Sequence, residues 1–356
     1  MSKEKPPRGF WNTLPKPFFV LAPMADVTDA PFRQMFVKYS EHGKPHGGPH
    51  VFWTEFVSCD GLCSPGRNII KRDLEFQENE RPIVAQIFGS NPDNCRKTAE
   101  LVRKMGFDGI DINMGCPDRS IEKQGAGSAM IKTPKLAQEV IYATQEGAGD
   151  LPVSVKTRIG YNKEEINEWI PHILETKVPV LTIHGRTRKE MSLADARWDD
   201  IVKVVDMAKG TDTFIIGNGD VKSIQEAGEK VRKYGVDGVM VGRGVFGDPW
   251  FFADVACAKH NCHISHPPKL LYRSEASADC TCISIDEKLR VLIEHTKLFE
   301  KKFGDIKNFA IMKKHFKAYV SGFDGAKELR VQLMDTRSAK EVEMIISTFL
   351  VEQKNV

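Results

Sequence analysis

Residues 82–113 read PIVAQIFGSNPDNCRKTAELVRKMGFDGIDIN and contain a unit that recurs along this chain. An apolar run is followed by a stretch with apolar residues at three- and four-residue spacing, and then by a second apolar run. This order predicts two parallel strands joined by a crossover helix. Eight such runs occur: FFVLA (18–22), VFWTEF (51–56), PIVAQIF (82–88), GIDIN (109–113), PVSVKT (152–157), PVLTIHG (179–185), TFIIGNG (213–219) and GVMVG (238–242). Their number predicts an α/β protein with a closed (β/α)8 TIM barrel, and an open, doubly wound sheet is the alternative.

The alternation of strands and helices ends after about Asp248. A segment without periodicity follows, and the patterns beyond it predict helices at 286–302, 306–320, 326–334 and 338–351. Ser338 is the expected N-cap of the last helix, with Glu341 as its capping-box partner. We therefore predict a barrel domain over 1–256, an insertion or linker over 257–285 and a small C-terminal helical-bundle domain over 286–356.

The composition, with 41% hydrophobic residues, is that of a globular protein. No apolar stretch approaches the ~20 residues that span a bilayer, and the N-terminus lacks a signal-peptide cleavage pattern. We expect a cytoplasmic monomer that needs neither a membrane nor a protein partner. The eight cysteines are expected to be free thiols. No metal is predicted, because the Cys280–Cys282 spacing is not that of a usual zinc site.

Polar residues follow the predicted strands where a barrel gathers its active-site loops, at the C-terminal strand ends. They are Met24, Glu55, Gln86, Asn113, Lys156, His184, Asn218 and Arg243. Solvated loop residues scattered at random would be the alternative explanation. The recurrence at one end of the strands favours a common site.

The segments GNGD (217–220) and GRG (242–244) follow the last two predicted strands. In many barrels the loops after these strands bind phosphate through backbone N–H groups, and glycine lets the backbone approach the anion. Arg243 adds a bidentate donor. The segments predict a phosphorylated ligand, although glycines in tight turns would produce the same pattern.

Lys156 and Gln86 narrow the kind of ligand. A lysine at the inner end of a strand is costly unless it meets a negative charge, and a reduced flavin carries such a charge beside a polar pyrimidine edge that Gln86 could pair with. A Schiff-base lysine is the alternative. His184 could contact a flavin or a substrate, or it could be a satisfied core histidine.

Cys116 lies between Gly115 and Pro117, which restrict the backbone just past the fourth predicted strand. A thiol near its ordinary pKa of about 8.5 is mostly protonated at neutral pH, so it can donate a proton as well as attack. A small buried hydrophobic residue is the alternative. Its position at the catalytic end favours a catalytic role, as proton donor or as nucleophile, over a structural one.

Several segments together resemble the tRNA-dihydrouridine synthases in order and spacing. They are LAPMADVTDAPFR, TEFVS, GIDINMGCPDRSIEKQGAGSAMI, VSVKTRIGY, IHGRTR, IIGNGDV and VMVGRGVFGDPW, and FAIMKKHFKAYVSGFDGAKELR is similar to the helical domain of that family. The resemblance implies FMN as cofactor, NADPH as its reductant and uridine in tRNA as substrate. Cys116 would then be the proton donor to C5 of the uracil.

The resemblance also implies roles for individual residues. The implied flavin-binding residues are Pro23, Met24, Ala25, Gln86, Lys156, His184, Asn218, Gly219, Asp220, Gly242 and Arg243. Asn113 would help to place the uracil. The residues expected to contact RNA are Arg119, Arg186, Lys313, Lys314, Lys317 and Arg330, of which the lysines lie in KNFAIMKKHFK (307–317), a segment without acidic residues.

The chain departs from the family pattern at 188–198, RKEMSLADARW, where Met191 replaces an expected aromatic residue. The His-rich segment HGKPHGGPH (42–50) is expected to be a flexible loop. Two other functions stay open at this point. A flavin barrel could reduce a free small molecule, as dihydroorotate dehydrogenases do, or a retained barrel could bind RNA without catalysis.

Overall fold

The computed structural model describes residues 7–45, 47–253 and 283–354. The strands are β1 (Phe18–Leu21), β2 (Phe52–Trp53), β3 (Val57–Ser58), β4 (Ile83–Phe88), β5 (Gly109–Met114), β6 (Val153–Arg158), β7 (Val180–His184), β8 (Phe214–Asn218) and β9 (Gly238–Val241). All paired strands are parallel, in the order β1-β9-β8-β7-β6-β5-β4-β2, and β3 also pairs with β4. The predicted TIM barrel is confirmed.

Helices alternate with these strands. They are α1 (Ala30–Tyr39), α2 (Cys59–Leu62), α3 (Arg67–Ile70), α4 (Pro92–Lys104), α5 (Arg119–Glu122), α6 (Pro134–Ala148), α7 (Ile166–Glu175), α8 (Trp198–Ala208) and α9 (Ile224–Tyr234). The local sequence accounts for their ends. The side chain of Asn91 caps α4 by accepting the N–H of Asn94, and Gly235 ends α9 in the left-handed conformation that favours glycine.

Of the second predicted strand, 51–56, only Phe52–Trp53 form a strand, β2, and β3 (Val57–Ser58) begins just beyond the predicted limit. Between them the hydroxyl of Thr54 accepts the N–H of Gln86 at 3.2 Å, so a side-chain oxygen takes the place of a backbone acceptor in the ladder. This replacement of the backbone acceptor explains why β2 ends at Trp53, inside the predicted run. It could not be predicted from the apolar pattern, which continues through Phe56.

The barrel is closed between β1 and β2 by His50. Its backbone N–H donates to the carbonyl of Phe19 at 2.8 Å, and its Nδ1 accepts the N–H of Phe19 at 2.9 Å. Both ring nitrogens of His42 also lie within hydrogen-bond distance of carbonyl oxygens. The two ends of the segment expected to be a flexible loop are therefore held by hydrogen bonds to the barrel.

The interior of the barrel is apolar in its lower part and becomes polar towards the C-terminal ends of the strands. Side chains of Phe18, Val20, Trp53, Val84, Val180, Ile216 and Met240 form one buried cluster. Trp11, from the short turn before β1, lies against this cluster with 1% of its surface exposed. Because paired residues of parallel strands point to the same side, the pairs Asn113–Lys156 and Arg158–His184, and then Asn218, form polar layers towards the C-terminal strand ends.

The C-terminal region is helical, as predicted. Its helices are α10 (Ile285–Phe303), α11 (Lys313–Tyr319), α12 (Ala326–Met334) and α13 (Ala339–Lys354). Ser338 accepts the N–H of Glu341 at 3.3 Å, while the Glu341 carboxylate accepts the N–H of Arg337 at 2.7 Å instead of that of Ser338. The bond from Glu341 N–H to Ser338 is thus as predicted, whereas the bond to the Glu341 carboxylate comes from Arg337, one residue before the predicted donor.

The chain divides into two compact units, one of which holds the barrel as far as Gly244. Val245–Phe251 group with the C-terminal helices in the other unit. The limits 1–256, 257–285 and 286–356 stay a prediction, because residues 254–282 lie outside the described part of the chain, as does most of the Cys- and His-containing insertion. No helix within the described ranges is long and apolar enough to cross a membrane.

Candidate active site

A cavity of about 550 Å³ opens at the C-terminal ends of the strands, a size within the usual range of small-molecule sites. Ten residues predicted for cofactor or RNA line it: Pro23, Met24, Lys156, His184, Arg186, Asn218, Gly219, Asp220, Gly242 and Arg243. Ala25, Gln86, Asn113, Cys116 and Arg119 are not among the lining residues. The structure therefore brings most of the predicted site together from β1 and β6–β9.

Lys156 points from β6 into the barrel and donates from Nζ to Oδ1 of Asn218 on β8 at 3.2 Å. The Asn218 amide is fixed in turn, since its Nδ2 donates to the carbonyl of Met240 at 2.8 Å. Burial lowers the pKa of Lys156 to about 8, and the charge of Arg158 adds to this effect. The ammonium is still mostly protonated at pH 7, so it presents a buried positive charge to the cavity.

His184 is neutral. Burial lowers its pKa well below the ordinary value, and the charges of Arg158, Lys156 and Arg186 act in the same direction. Its Nε2 lies 3.1 Å from a guanidinium nitrogen of Arg186, which can only donate. The imidazole proton is therefore on Nδ1, where it is available to a ligand.

Arg186 and Asp220 form an ion pair in the wall of the cavity. The Arg186 side chain is 3% exposed and that of Asp220 is 29% exposed. The second Asp220 oxygen lies 3.5 Å from Arg243, and Asp220 also accepts the N–H of Ala196 at 2.8 Å. Asp220, predicted to bind phosphate, thus holds two arginines of the cavity wall, and Arg186, predicted to contact RNA, is buried in that wall.

Two glycines of the cavity wall, Gly219 and Gly242, differ in the space available for a side chain. At Gly219, where φ is +129°, a Cβ would lie 2.6 Å from the Cβ of Ala196. At Gly242 a Cβ would meet atoms of Met24 and Ala22 only at ordinary distances of 3.6 and 3.7 Å. Gly219 is therefore required by packing and backbone conformation, whereas Gly242 leaves room on the cavity side.

Gln86 and Asn113 belong to a buried network next to the cavity. The Asn113 amide donates to Oε1 of Gln86 at 3.1 Å, and the Gln86 amide donates to Oδ2 of Asp111 at 2.6 Å. Oδ1 of Asn113 accepts the backbone N–H groups of Gly115 at 3.1 Å and Cys116 at 2.9 Å. Asn113, predicted to place a uracil, therefore also fixes the loop that carries Cys116.

Cys116 is a half-buried free thiol packed against the buried cluster of Phe88, Ile121 and Ala126. Its carbonyl accepts the N–H of Ser128 at 3.0 Å, which ties the loop to the following turn. Burial raises the pKa of the thiol, although a hydrogen bond from the N–H of Asp118 opposes the effect. The thiol is therefore protonated at neutral pH, which suits an acid better than a nucleophile.

Arg158 was not predicted and lies between the cavity and the Cys116 loop. Its Nε donates to the carbonyl of Gly115 at 2.7 Å, and its Nη1 donates to the carbonyls of Thr187 at 3.1 Å and Met191 at 3.2 Å. Burial lowers its pKa to about 10, which leaves it charged. The signal was present in the sequence, because Arg158 lies two residues after Lys156 and so faces the same side of the strand.

Arg188, the first residue of the 188–198 segment, is paired. Its Nε donates to both carboxylate oxygens of Glu122 at 2.9 Å, and its guanidinium lies 5.3 Å from the ring of Tyr161. Its charge is therefore largely neutralised. The pair also joins the 188–198 segment to α5, which follows Cys116.

Cations expected to contact RNA cluster in the helical unit. A groove of about 350 Å³ is lined by Lys317, Lys327, Arg330, Val331, Met334 and Asp335. Arg330 also donates to the carbonyl of Val320 at 2.6 Å. Lys314, Lys317 and Lys327 are exposed, Lys313 is half-buried, and Arg119 is exposed on α5 of the barrel. Among the described residues no group of three or more His, Cys, Asp or Glu is arranged to hold a metal ion.

Comparisons with known proteins show which family the chain belongs to. The chain matches the family described as "Dihydrouridine synthase (Dus)" over residues 20–354. It is 40% identical to the "Probable tRNA-dihydrouridine synthase" of Staphylococcus aureus over 345 residues, which cover 96% of this chain and 95% of the relative. It is also 40% identical to the "Probable tRNA-dihydrouridine synthase 2" of Bacillus subtilis over 344 residues, 96% of each chain.

A solved structure of DHODH from Eimeria tenella is 14% identical, covers 52% of this chain and 58% of its own, and has a TM-score of 0.40. A likeness at this level supports no inference about function. The family match and the two bacterial relatives, in contrast, span the barrel and the C-terminal helices together. On this evidence the chain belongs to the dihydrouridine synthase family.

Proposed function

We propose that this protein reduces uridine in tRNA to 5,6-dihydrouridine, with FMN as cofactor, NADPH as reductant and Cys116 as proton donor. The family and the names of its relatives support the class of reaction and the substrate. The observation that carries the proposal is that a protonated thiol follows β5, beside a cation-rich cavity built on the neighbouring strand ends. Such a pairing suits the addition of a hydride and a proton across a double bond.

The cavity fits FMN in size and in charge. Its volume of about 550 Å³ is wide enough for a small cofactor, and its wall carries the cations Lys156, Arg158, Arg186 and Arg243 against the carboxylate of Asp220. The ribityl phosphate would be held by Arg243 and by the backbone at Gly219 and Gly242. When bound, FMN supplies the hydride that is added to C6 of the uracil.

Neighbouring residues would hold the ring of the flavin. Pro23, Met24 and Ala25 would line one side of it, and Lys156, which Asn218 orients, would meet its negative charge. The Nδ1–H of His184 would donate to the cofactor. Gln86 is buried and does not line the cavity, so its contact with the pyrimidine edge would require its remaining amide hydrogen or lone pair to become reachable from the cavity.

Cys116 would transfer its thiol proton to C5 of the uracil. The hydride at C6 and the proton at C5 together saturate the C5=C6 bond, and the proton balance leaves a thiolate that solvent reprotonates. A raised pKa favours this role because the acid is loaded at neutral pH. Asn113 and Arg158 hold the loop from two sides. A uridine stacked in folded tRNA must leave its stack to reach the loop.

The acid assignment is tested with a Cys116→Ala protein. We expect flavin content equal to the parental protein and a kcat for dihydrouridine formation in tRNA that is lower by about 10²–10⁴-fold, the usual range for a general acid. Cys63→Ala is the matched control, since Cys63 is an exposed thiol on the same barrel. Undiminished turnover by the Cys116→Ala protein, with its flavin retained, would refute the role of the thiol.

The substrate is tested by the cations of the helical unit. We expect that Lys317→Gln and Lys327→Gln together lower tRNA affinity and reduce the slope of log affinity against log salt by about 1–2, as phosphate contacts require. Lys209→Gln is the control, because it alters an exposed lysine on the barrel that is paired with Asp206. An unchanged slope, or equal turnover of free uridine monophosphate and tRNA, would favour a small-molecule reductase.

A further inference from the structure

We infer that Asp111 is a positioning residue that sets, through Gln86 and Asn113, the conformation of the loop that carries Cys116. Asp111 lies on β5, one inward-facing position below Asn113, and is 1% exposed. Its catalytic relevance rests on the proposed function, since it concerns the loop of the proposed acid. The connection itself consists of hydrogen bonds among buried side chains.

The relay starts at the carboxylate. Oδ1 of Asp111 accepts the hydroxyl of Ser154 at 2.6 Å, and Oδ2 accepts Nε2 of Gln86 at 2.6 Å. Burial raises the pKa of Asp111 to about 6, while the hydrogen bonds from Gln86 and Ser154 and the charge of Lys156 oppose this effect, so the carboxylate is mostly ionised at pH 7. An ionised carboxylate offers acceptors and no donor, so the NH₂ group of Gln86 must face it.

This constraint is passed on along the network. With its NH₂ group turned to Asp111, Gln86 presents Oε1 to Asn113, which meets it with Nδ2 at 3.1 Å. Oδ1 of Asn113 is thereby turned to the loop, where it accepts the N–H groups of Gly115 and Cys116. If the Gln86 amide were flipped, its NH₂ group would face the NH₂ group of Asn113, and two donors would meet. Flipping the Asn113 amide as well would remove this clash, but it would turn the Asn113 NH₂ group towards the N–H groups of Gly115 and Cys116.

Burial makes the direction of each amide matter. Gln86 is 0% exposed and Asn113 is 8% exposed, so water cannot easily replace a lost partner of either amide. Arg158 holds the other face of the loop at the Gly115 carbonyl, and therefore fixes its place but not the direction of the Asn113 amide. The acceptor at Asp111 holds, from the far end of the network, the same amide orientation that the N–H groups of Gly115 and Cys116 require at the loop.

The test compares Asp111→Leu, which removes the acceptor, with Asp111→Asn, which keeps an oxygen for Gln86 and can donate its NH₂ group to Ser154. Ser154→Ala is the matched control, because it removes a partner of Asp111 without touching Gln86. The first readout is deuterium exchange at peptides that contain the amides of Gly115 and Cys116. The second is kcat and KM with tRNA.

For Asp111→Leu we expect about tenfold faster exchange of these amides, corresponding to one lost buried hydrogen bond. We expect kcat to fall by about 10- to 100-fold, the scale of a misplacement near 1 Å, with KM within about threefold. Asp111→Asn and Ser154→Ala should stay within about threefold of the parental protein in exchange and in kcat. If the leucine protein does not fold, Gln86→Met interrupts the relay one bond further on and should give the same faster exchange.

Unchanged exchange in a folded Asp111→Leu or Gln86→Met protein would overturn the inference. Tenfold faster exchange in Asp111→Asn would also overturn it, since charge and not acceptor direction would then hold the loop. The exchange measurement needs neither bound cofactor nor turnover. A parental protein that forms no dihydrouridine would therefore refute the proposed function, while the exchange rates still decide on the relay.

Discussion

Replacing Asp220 with asparagine tests whether the ion pair with Arg186 supports the cavity wall. The substitution keeps the size of the side chain but turns an NH₂ group or a neutral oxygen towards a guanidinium that is 3% exposed. Removing one partner of a fully buried pair costs about 3–5 kcal/mol. Because the Asp220 side chain is 29% exposed, water offsets part of this, and we expect the free energy of unfolding to fall by about 2–3 kcal/mol.

The assay is urea unfolding of the full chain followed by tryptophan fluorescence. Trp198 reports on this region directly, since its indole N–H donates to the carbonyl of Gly219 at 2.9 Å. Arg243→Met is the matched control, because Arg243 approaches the other oxygen of the same carboxylate at 3.5 Å with a side chain that is 61% exposed. This exposed contact should be worth about 0.5 kcal/mol or less.

The reasoning is refuted if Asp220→Asn unfolds within about 0.5 kcal/mol of the parental protein, or if Arg243→Met is destabilised as strongly. The first result would mean that Arg186 is held by its contact with His184 and its other acceptors and does not depend on the carboxylate. The second would mean that the exposed contact with Arg243 supports the cavity wall as much as the buried pair does. The expected result would instead assign to Asp220 the holding of Arg186, in place of direct contact with a phosphate.

Two further outcomes are expected. The pKa of Lys156 is lowered to about 8, and a bound anion favours the charged form. Flavin affinity should therefore be highest below pH 8 and fall by roughly tenfold by pH 9.5 as the ammonium is lost. Titration of the apoprotein by flavin fluorescence measures this, and a Lys156→Met protein should show a weaker but flat profile. Trp11→Ala should lower the free energy of unfolding by about 3–5 kcal/mol, because Trp11 is 1% exposed with ring centroids 5.8 and 6.0 Å from those of Phe18 and Trp53. A loss below about 1 kcal/mol in urea unfolding would contradict the expectation that the packing of Trp11 against the buried cluster stabilises the barrel.

Much of the fold could be predicted because its signals are local. Apolar runs and helical spacing identify the strand–helix units, and β4 to β9 begin and end within one residue of their predicted limits. Helix α12 covers the predicted 326–334. The interruption between β2 and β3 was missed, since it depends on the hydroxyl of Thr54 replacing a backbone acceptor.

Many of the residues that line the cavity could be predicted from the sequence, for a geometric reason. Parallel strands of a barrel bring their C-terminal ends together, so polar residues at those ends meet whatever their separation along the chain. Lys156 and Asn218 are an example, since they bond across 62 positions of sequence. The flanking Gly115 and Pro117 distinguish Cys116 from the other seven cysteines, but Cys116 does not line the cavity and its catalytic role stays a prediction.

The partners of those residues follow from register and rotamer, which no local pattern contains. The sequence predicts Arg186 to be a cation that contacts RNA, but Asp220 in the loop after β8 pairs with Arg186, whose side chain is buried. Asp111 read as part of a strand, yet the pairing of β4, β5 and β6 places it between Gln86 and Ser154. His50 read as loop, and it closes the barrel. Sequence periodicity therefore determines which side chains face inward, and the packing of neighbouring strands determines which of them can neutralise, orient or hold one another, because those contacts exist only when distant segments are assembled.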